Sequence, residues 1–330
     1  MTPPRPPEWP ATASRFQVQE PGRGALVETP LQAPGNGEVM VRSLYSGISR
    51  GTEGLVFRGE VPPSQYQAMR APFQVGEFPG PVAHGYMNVG EVIEGPEALR
   101  GRTVFCLHPH QDYYVAPADA VVPLPAAVPA DRAVLAANME TAVNGVWDGA
   151  PGPGDRINVI GAGVIGHLVA WLCSAIPGTR VTLVDTLPQR ADSATALGLA
   201  FATTPPEEPA DLVFHASGNA EGLRTALEHA ALEATVVELS WYGDQTVPAP
   251  LGEAFHARRL QLRSSQVGRV PPHRAPRWSH RRRLELALAL LEAPELDFLI
   301  TGESPFTALP ELMQSLSTSP AGTLCHRILY

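Results

Sequence analysis

A glycine-rich turn between an apolar run and a helical pattern is the stretch whose residue types and spacing most clearly indicate chemistry. Residues 157–160 (INVI) form the apolar run, and Gly161, Gly163 and Gly166 follow it in a G-x-G-x-x-G arrangement. The first glycine permits a tight turn, the second lets the backbone approach a pyrophosphate, and the third lets helix and strand pack closely. The turn therefore predicts a dinucleotide-binding site.

The residues that follow the turn refine this prediction. Val164 and Ile165 open the helical pattern, whose first N–H groups would point at the phosphates. Asp185 ends the next apolar run, 19 residues after Gly166, and would accept hydrogen bonds from the adenosine ribose. A phosphate on that ribose would cost roughly 4 kcal/mol per pair of like charges at about 4 Å and an effective dielectric near 20. The sequence thus favours NAD over NADP, a preference that nearby Arg190 would soften. A glycine turn that shapes the sheet and binds nothing is the alternative.

The patterns around the turn predict two kinds of architecture. Residues 2–10 are rich in proline and predict a loose tail, whereas residues 16–125 predict an all-β, barrel-like domain of short strands. The strands are expected at 39–44, 89–93, 103–107 and 113–115. Residues 131–148 predict a helix, and strands and helices then alternate up to residue 239, which indicates a parallel sheet with helices on both faces. A further periodic helix is expected at 281–293.

Composition excludes several classes of function. The net charge of −9 argues against nucleic-acid binding. The chain contains no lysine, which excludes a lysine Schiff base and a Walker-type phosphate loop. No apolar run reaches about 18 residues and no signal peptide is evident, so we expect no membrane association. The three cysteines are widely separated, which is typical of a reducing cytoplasm.

The order of a β-rich region, a dinucleotide-binding region and a short return segment resembles the medium-chain dehydrogenase/reductase superfamily, the alcohol dehydrogenase-like proteins. The markers are residues 37–42 (GEVMVR), 46–48 (SGI), 90–92 (GEV), 161–166 (GAGVIG), 216–218 (ASG) and the tail from 299 to 330. The resemblance implies an α/β protein with a GroES-like catalytic domain, residues 1–137 completed by 271–330, and a Rossmann doubly wound domain, residues 138–270. It also implies a homodimer through a sheet edge near 236–247.

The same resemblance implies further cofactor contacts. Ser217 lies in the ASG marker and is expected to contact the cofactor. Thr141 aligns with a threonine beside the nicotinamide ribose, and Val267 with Gly268 falls where a loop flanks the nicotinamide.

The positions that bind catalytic zinc in most members of this family carry other residues here. Ser49 and Tyr86 stand at two of them, and the third falls near Ala137 or Asn138. A catalytic zinc needs three suitable protein ligands and one open position. The four-cysteine structural zinc lobe is absent too, so we expect an enzyme that needs no zinc. The pairing of residues 46–53 with this tyrosine is similar to the branch that includes bacteriochlorophyllide dehydrogenase.

Without a metal, the substrate oxygen must be stabilised and its proton moved by side chains. Thr52 lies near the position at which the family keeps a hydroxyl group that relays the proton. Tyr86 can donate a hydrogen bond to a developing alkoxide, because an unperturbed phenol remains protonated at neutral pH. Glu53 or His84 would return the proton to Tyr86 through water. Packing of Tyr86 into the zinc position is the alternative, and Ser49 is expected to fill space rather than act as a nucleophile.

Three further features leave alternatives open. Six residues are candidate ligands of a different metal site: His84, Glu53, Glu140, Cys106, His108 and His110. Alternatively, Cys106 lies in the core, and His108 and His110 lie in a loop. The long segment 59–80 is either a wall over a bulky substrate or a surface loop. Residues 256–283 hold nine arginines and no acid, and face either an anion or solvent.

The sequence thus predicts an NAD-dependent, zinc-independent oxidoreductase that interconverts an alcohol and a carbonyl compound of small-molecule size. An NADPH-dependent reductase of quinones or enones is an alternative, which Asp185 disfavours. A catalytically silent NAD-binding sensor or scaffold is the alternative outside the enzymes.

Overall fold

The computed structural model describes residues 9–318 and 322–330. Most of the predicted tail at 2–10 lies outside these residues. The chain divides into two compact units, here called the first unit (up to Leu135, with Gly302–Tyr330) and the second unit (Ala136–Thr301). Sequence patterns placed the return to the first unit at residue 271. Residues 271–301 instead belong to the second unit, where the helix at 280–290 packs on the helix at 136–149.

The first unit is built from two β-sheets, as the predicted β-rich domain requires. The strands are β1 (Thr12–Glu20), β2 (Arg23–Pro30), β3 (Glu38–Ile48), β4 (Val75–Gly76), β5 (Val82–Ala83), β6 (Asn88–Glu94), β7 (Thr103–Cys106), β8 (Tyr113–Pro117), β9 (Val122–Pro123), β16 (Ile300–Pro305) and β17 (Cys325–Leu329). A four-stranded sheet has the order β2-β1-β5-β4, and a seven-stranded sheet has the order β16-β17-β3-β6-β7-β9, with β8 also pairing with β3.

Strand β3 is the centre of this unit, because it pairs antiparallel with β6, β8 and β17. Its alternating residues Val39 and Val41 are buried with Val92 and Val104 of neighbouring strands. Side chains two residues apart share one face of a strand, so this alternation seals one side of the sheet.

Two helices in the first unit were not expected. Helix α1 (Arg50–Arg58) interrupts the stretch predicted as all-β, and α7 (Leu309–Thr318) lies in the return segment. The sequence of α1 contains two glycines, so its intrinsic helix propensity is low. Contacts instead explain it: Leu55, Val56 and Phe57 are buried, α1 packs on α7, and Gly59 ends the helix in a left-handed conformation.

The second unit contains the predicted parallel sheet. Its strands are β10 (Arg156–Ile160), β11 (Arg180–Val184), β12 (Ala200–Ala202), β13 (Ala210–His215), β14 (Ala230–Glu238) and β15 (Gln261–Ser264). They have the order β12-β11-β10-β13-β14-β15, and every pair is parallel. The helices are α2 (Ala136–Gly149), α3 (Val164–Ser174), α4 (Arg190–Ala196), α5 (Ala220–Glu228) and α6 (His280–Leu290). This is a doubly wound sheet, and the predicted fold class is confirmed.

The edge of this sheet differs from the prediction. Val236 lies on β14, which is flanked by β13 and β15, so residues 236–247 are not an edge. The edge strand is β15, whose Leu262 is 40% exposed. The missed strand has only four residues (QLRS), all of them exposed, so it carries no apolar pattern that could have predicted it.

A buried ion pair joins two helices of the second unit. The guanidinium of Arg283 on α6 lies 3.0 Å from the carboxylate of Glu140 on α2, and both side chains are almost fully buried. Arg283 also donates hydrogen bonds to Asn144 and to the carbonyl of Val267. A buried guanidinium needs such partners, because its desolvation is costly. The arginine-rich segment is thus partly structural rather than wholly solvated.

The three cysteines, Cys106, Cys173 and Cys325, are free and buried. Burial raises the pKa of each thiol to about 12, so they remain protonated and unreactive at neutral pH. Within residues 9–318 and 322–330, no helix combines the length and apolar character needed to cross a membrane.

Candidate functional site

The glycine turn has the geometry that its spacing predicts. Gly161 has a φ of 108°, and a Cβ there would lie 2.6 Å from the backbone nitrogen of Ser217. A Cβ on Gly166 would lie 1.8 Å from the carbonyl oxygen of Gly161. By contrast, a Cβ on Gly163 would meet no atom within 4 Å, and no side chain caps the helix that begins beside it. The turn is therefore closed where strand and helix pack and open at the helix N-terminus, which suits a bound pyrophosphate.

Asp185 follows β11 and accepts a hydrogen bond from this turn. One carboxylate oxygen accepts the N–H of Ala162 at 2.7 Å, and the other accepts the N–H of Leu187 at 2.9 Å. Arg190 begins α4 and is buried; its burial lowers the pKa of the guanidinium, while the charge of Asp185 acts to raise it. The acid thus stands beside the turn, as the ribose contact requires.

The other predicted cofactor residues lie on the same unit. Val164 and Ile165 form the first turn of α3 and are half-buried. The hydroxyl of Thr141 donates to the carbonyl of Ala137, one turn earlier in α2. Ser217 follows β13, and its hydroxyl lies 2.6 Å from His215, a partner that the sequence did not suggest.

In the first unit, the structure brings together the four predicted catalytic residues. Ser49 caps α1, and its hydroxyl accepts a hydrogen bond from the phenol of Tyr86 at 2.6 Å. Burial and the charge of Glu53 raise the pKa of Tyr86 to about 12, although hydrogen bonds with Ser49 and Thr52 act in the opposite direction. The phenol therefore keeps its proton at any physiological pH and acts as a donor.

Glu53 connects this cluster to a second set of buried groups. One of its carboxylate oxygens accepts the N–H of Ser49, and the other lies 2.8 Å from Nε2 of His110. Nδ1 of His110 lies 2.6 Å from the hydroxyl of Ser46, which lies 3.0 Å from the phenol of Tyr330. Glu53 and Ser46 thus hold the imidazole of His110 from both ring nitrogens. Sequence patterns indicated His110 only as a metal ligand or a loop residue, so its contact with Glu53 was missed.

The residues at the family's zinc positions do not fit a catalytic zinc. Ser49 and Tyr86 offer neutral hydroxyl groups, and these groups are already joined by a short hydrogen bond. The third position, at Ala137 and Asn138, carries a methyl group and an amide. Zinc in proteins prefers thiolate, imidazole or carboxylate ligands. No step is therefore derived through a metal at these positions.

The alternative metal ligands are separated by their own contacts. The ring of His108 stacks on Tyr114 with centroids 3.8 Å apart, and its Nδ1 faces the carbonyl of Pro109. His110 binds Glu53, Cys106 is in the strand core, and Glu140 is paired with Arg283. In the described part of the chain, no three His, Cys, Asp or Glu side chains converge in a group that could hold a metal ion.

The long segment 59–80 is packed against this cluster through aromatic rings. Tyr66 contacts Phe78, Phe78 contacts His84, and His84 contacts Tyr86, each with ring centroids less than 6 Å apart. Burial lowers the pKa of His84 to about 4, so the ring is neutral at physiological pH. Its Nδ1 is buried without a hydrogen-bond partner. The segment 59–80 is therefore connected to the hydroxyl cluster by a continuous row of rings.

Comparison with known proteins identifies distant relatives. The chain is 27% identical over 163 residues to D-guloside 3-dehydrogenase of Escherichia coli (strain K12), covering 46% of this chain and 47% of that protein. It is 27% identical over 253 residues to 2-desacetyl-2-hydroxyethyl bacteriochlorophyllide A dehydrogenase of Cereibacter sphaeroides, covering 68% of this chain and 74% of that protein. The match thus spans about half the length of the first relative. No protein-family model matches the chain.

Solved structures resemble the chain over nearly its whole length. A proposed zinc-binding dehydrogenase of Sinorhizobium meliloti 1021 bound to NADP has a TM-score of 0.76 at 18% identity, covering 97% of this chain and 100% of that one. The RspB alcohol dehydrogenase of Escherichia coli CFT073 complexed with NADH gives 0.76 at 17% identity with the same coverage. At these identities the structural likeness shows that the chain shares the fold of these dehydrogenases.

The open space at Gly163 gives a direct test of the dinucleotide site. We expect Gly163→Ala to weaken NADH binding at least about tenfold, because the new methyl group would project where the pyrophosphate approaches. The unfolding temperature should fall by only about 2–4 °C or less, since the methyl group meets no protein atom. NADH fluorescence titration and thermal unfolding measure the two effects.

Gly252→Ala is the matched control, because its Cβ also meets no atom and it lies away from the turn. It should leave the NADH affinity unchanged. Wild-type affinity in Gly163→Ala would contradict a pyrophosphate at this turn.

Proposed function

We propose that this chain is an NAD-dependent, zinc-independent oxidoreductase that interconverts a secondary or primary alcohol and its carbonyl compound. The observation that carries the proposal is the hydrogen bond between Tyr86 and Ser49 at the two positions where the family's zinc ligands would stand. A donor group held at this place supports stabilisation of the substrate oxygen without a metal. The bound nicotinamide would supply hydride chemistry, and the turn at residues 161–166 would hold its pyrophosphate.

Tyr86 is proposed as the group that contacts the substrate oxygen. Its raised pKa makes it a hydrogen-bond donor rather than a base, which suits an oxygen that gains negative charge. Ser49 and Thr52 fix the orientation of the phenol, since both share hydrogen bonds with it. In the structure the phenol donates its single proton to Ser49, so donation to the substrate oxygen requires the O–H bond to turn from Ser49 towards the substrate while the phenol oxygen stays in place.

Glu53 is proposed as the proton acceptor in alcohol oxidation. When the substrate O–H bond breaks, its proton would pass to the phenol oxygen of Tyr86, whose own proton would move through Ser49 towards this carboxylate. The bound nicotinamide would accept the hydride that the adjacent carbon gives up. The contact with His110 stabilises the carboxylate in the buried site, and Ser46 with Tyr330 fixes the imidazole tautomer. In carbonyl reduction the same groups return the proton.

The row of rings from Tyr66 to Tyr86 supports a substrate with a planar or aromatic body. Phe78 and His84 lie between these two rings, and both are buried. The unpartnered Nδ1 of His84 offers a polar contact within an otherwise apolar wall. Aromatic walls with one convergent polar group are typical of small-molecule pockets.

The remaining assignments belong to the same proposal. The zinc-lacking branch similar to bacteriochlorophyllide dehydrogenase is supported by the residues at 49 and 86. A homodimer through β15 is supported by the exposure of that strand, because an edge with unpaired backbone groups is a template for another strand. Buried free thiols are consistent with a reducing cytoplasm.

Metal content tests the zinc-independent mechanism. Protein purified without chelator should contain far less than one zinc per chain and should keep its activity after dialysis against EDTA. The reason is that the hydroxyl groups of Ser49 and Tyr86 are poor zinc ligands. About one zinc per chain, with activity lost on its removal, would overturn this mechanism. The measurement is elemental analysis together with turnover of a panel of aromatic ketones and alcohols.

Tyr86→Phe tests the proposed donor. We expect kcat to fall about 100-fold or more while NADH binding stays unchanged, because only the hydroxyl that faces the substrate oxygen is removed. Tyr45→Phe is the matched control, since this tyrosine stacks with Arg327 and has no contact with the cluster. Stopped-flow turnover of the same ketones measures the effect. An unchanged kcat would assign Tyr86 to packing alone.

Asp185→Asn tests the cofactor preference. Removal of the negative charge should lower the preference for NADH over NADPH at least about tenfold, because repulsion of the ribose phosphate is relieved. Asp192→Asn, an exposed change on the neighbouring helix, should leave the ratio of the two Kd values unchanged. Fluorescence titration of both cofactors gives the ratio. A ratio of the two Kd values that is the same in wild type and in Asp185→Asn would contradict the role of the charge.

A further inference from the structure

A chain of partly buried hydrogen bonds lies behind Ser217 in the second unit. The hydroxyl of Ser217 is 2.6 Å from Nε2 of His215, and Nδ1 of His215 is 2.8 Å from the carboxylate of Glu238. Tyr242 donates a further hydrogen bond to the same carboxylate oxygen at 3.0 Å. His215 and Glu238 are directly opposite each other on β13 and β14, each at the carboxyl end of its strand. The parallel register therefore assembles the chain at the edge of the sheet where ligands bind.

The direction of these hydrogen bonds follows from the charge on Glu238. Burial acts to raise the pKa of this carboxyl, but hydrogen bonds from His215 and Ser240 outweigh it, so the pKa lies below its usual range. An ionised Glu238 can only accept, so His215 donates from Nδ1 and its Nε2 accepts from Ser217. The proton of Ser217 is thereby directed into the protein, and its oxygen keeps its lone pairs for a donor.

Serine, histidine and acid in series also suggest a nucleophile, but the packing argues against one. A Cβ on Gly222 of α5 would lie 2.0 Å from the hydroxyl oxygen of Ser217 and 2.6 Å from Nε2 of His215. Helix α5 thus covers the hydroxyl closely, and only a glycine leaves room for the hydrogen bond. That space suits a hydrogen bond and not an acyl group bonded to the oxygen.

The position of Ser217 indicates which ligand it meets. Its backbone nitrogen is the atom that a Cβ on Gly161 would strike, so Ser217 borders the first glycine of the phosphate turn. A dinucleotide held there carries ribose hydroxyl groups next to its phosphates, and these are hydrogen-bond donors.

We propose that His215 and Glu238 are positioning residues that fix the hydroxyl of Ser217 as a hydrogen-bond acceptor for a ribose hydroxyl of the dinucleotide. The inference rests on the proposed function, because it needs the turn to bind a dinucleotide. It extends that function by naming three residues behind the cofactor: an oriented acceptor, a tautomer-fixed imidazole and a buried carboxylate.

A double-mutant cycle read by NADH binding tests the proposal. Ser217→Ala should weaken NADH binding about fivefold to tenfold, the usual effect of one neutral hydrogen bond. Glu238→Gln should weaken it to a similar or smaller extent. In the Ser217→Ala background, Glu238→Gln should have no further effect, because Glu238 acts only through the serine. A general structural role of Glu238 would weaken binding in both backgrounds and would overturn the proposal.

Histidine NMR of the protein without cofactor gives a second readout. The ¹⁵N signals of His215 should show a protonated Nδ1 and an unprotonated Nε2 at neutral pH. A proton on Nε2 would overturn the assigned direction. Should Glu238→Gln unfold below the assay temperature, His215→Asn takes its place in the cycle with the same expectation.

Glu221→Gln is the matched control, since this glutamate is exposed on α5 and should leave the NADH affinity unchanged. Wild-type protein that binds no NADH would overturn the proposed function and this inference together. Wild-type protein that binds NADH, with full affinity kept in Ser217→Ala, would overturn the inference alone.

Discussion

The buried carboxylate of Glu53 is the constraint around which the first unit is arranged. A carboxylate that is 3% exposed must be hydrogen-bonded, because an unpaired buried charge would cost several kcal/mol. Its partners come from the start of α1 and from the loop after β7, and His110 in turn binds β3 through Ser46. The last strand joins through Tyr330. One charge therefore fixes four separate parts of the chain relative to each other.

The same principle operates in the second unit, but through parallel register. His215 and Glu238 end two adjacent strands, and their contact places Ser217 beside the glycine turn. Asp185 follows β11, which lies on the other side of β10, and binds the turn itself. Three strand ends thus each carry a polar group that is held by the backbone or by a buried partner. A rigid polar edge of this kind can bind a ligand without first reorganising.

How far the sequence could predict these sites depends on the distance along the chain. The glycine turn is local, and its spacing alone predicted its conformation and the acid that follows. The pair of Glu53 and His110 is separated by 57 residues, and that of Ser46 and Tyr330 by 284. No periodicity or spacing connects residues so far apart, so only the fold shows them together. Helix α1 was missed for a related reason: its stability comes from packing on α7 and not from the propensity of its own residues.

In the proposed zinc-independent mechanism, the tyrosine donor and the buried carboxylate of Glu53 meet one physical requirement. Stabilising a substrate oxygen needs a positive charge or a proton donor that keeps its orientation. A phenol can supply the donor only if its proton is secure, and burial beside a carboxylate secures it by raising the pKa of Tyr86. Burial of that carboxylate in turn needs a well-oriented hydrogen-bond partner, which His110 provides because Ser46 holds the other side of its ring. The proposed use of a tyrosine as the donor therefore depends on a supporting chain of hydrogen bonds from Tyr86 and Ser49 through Glu53, His110 and Ser46 to Tyr330.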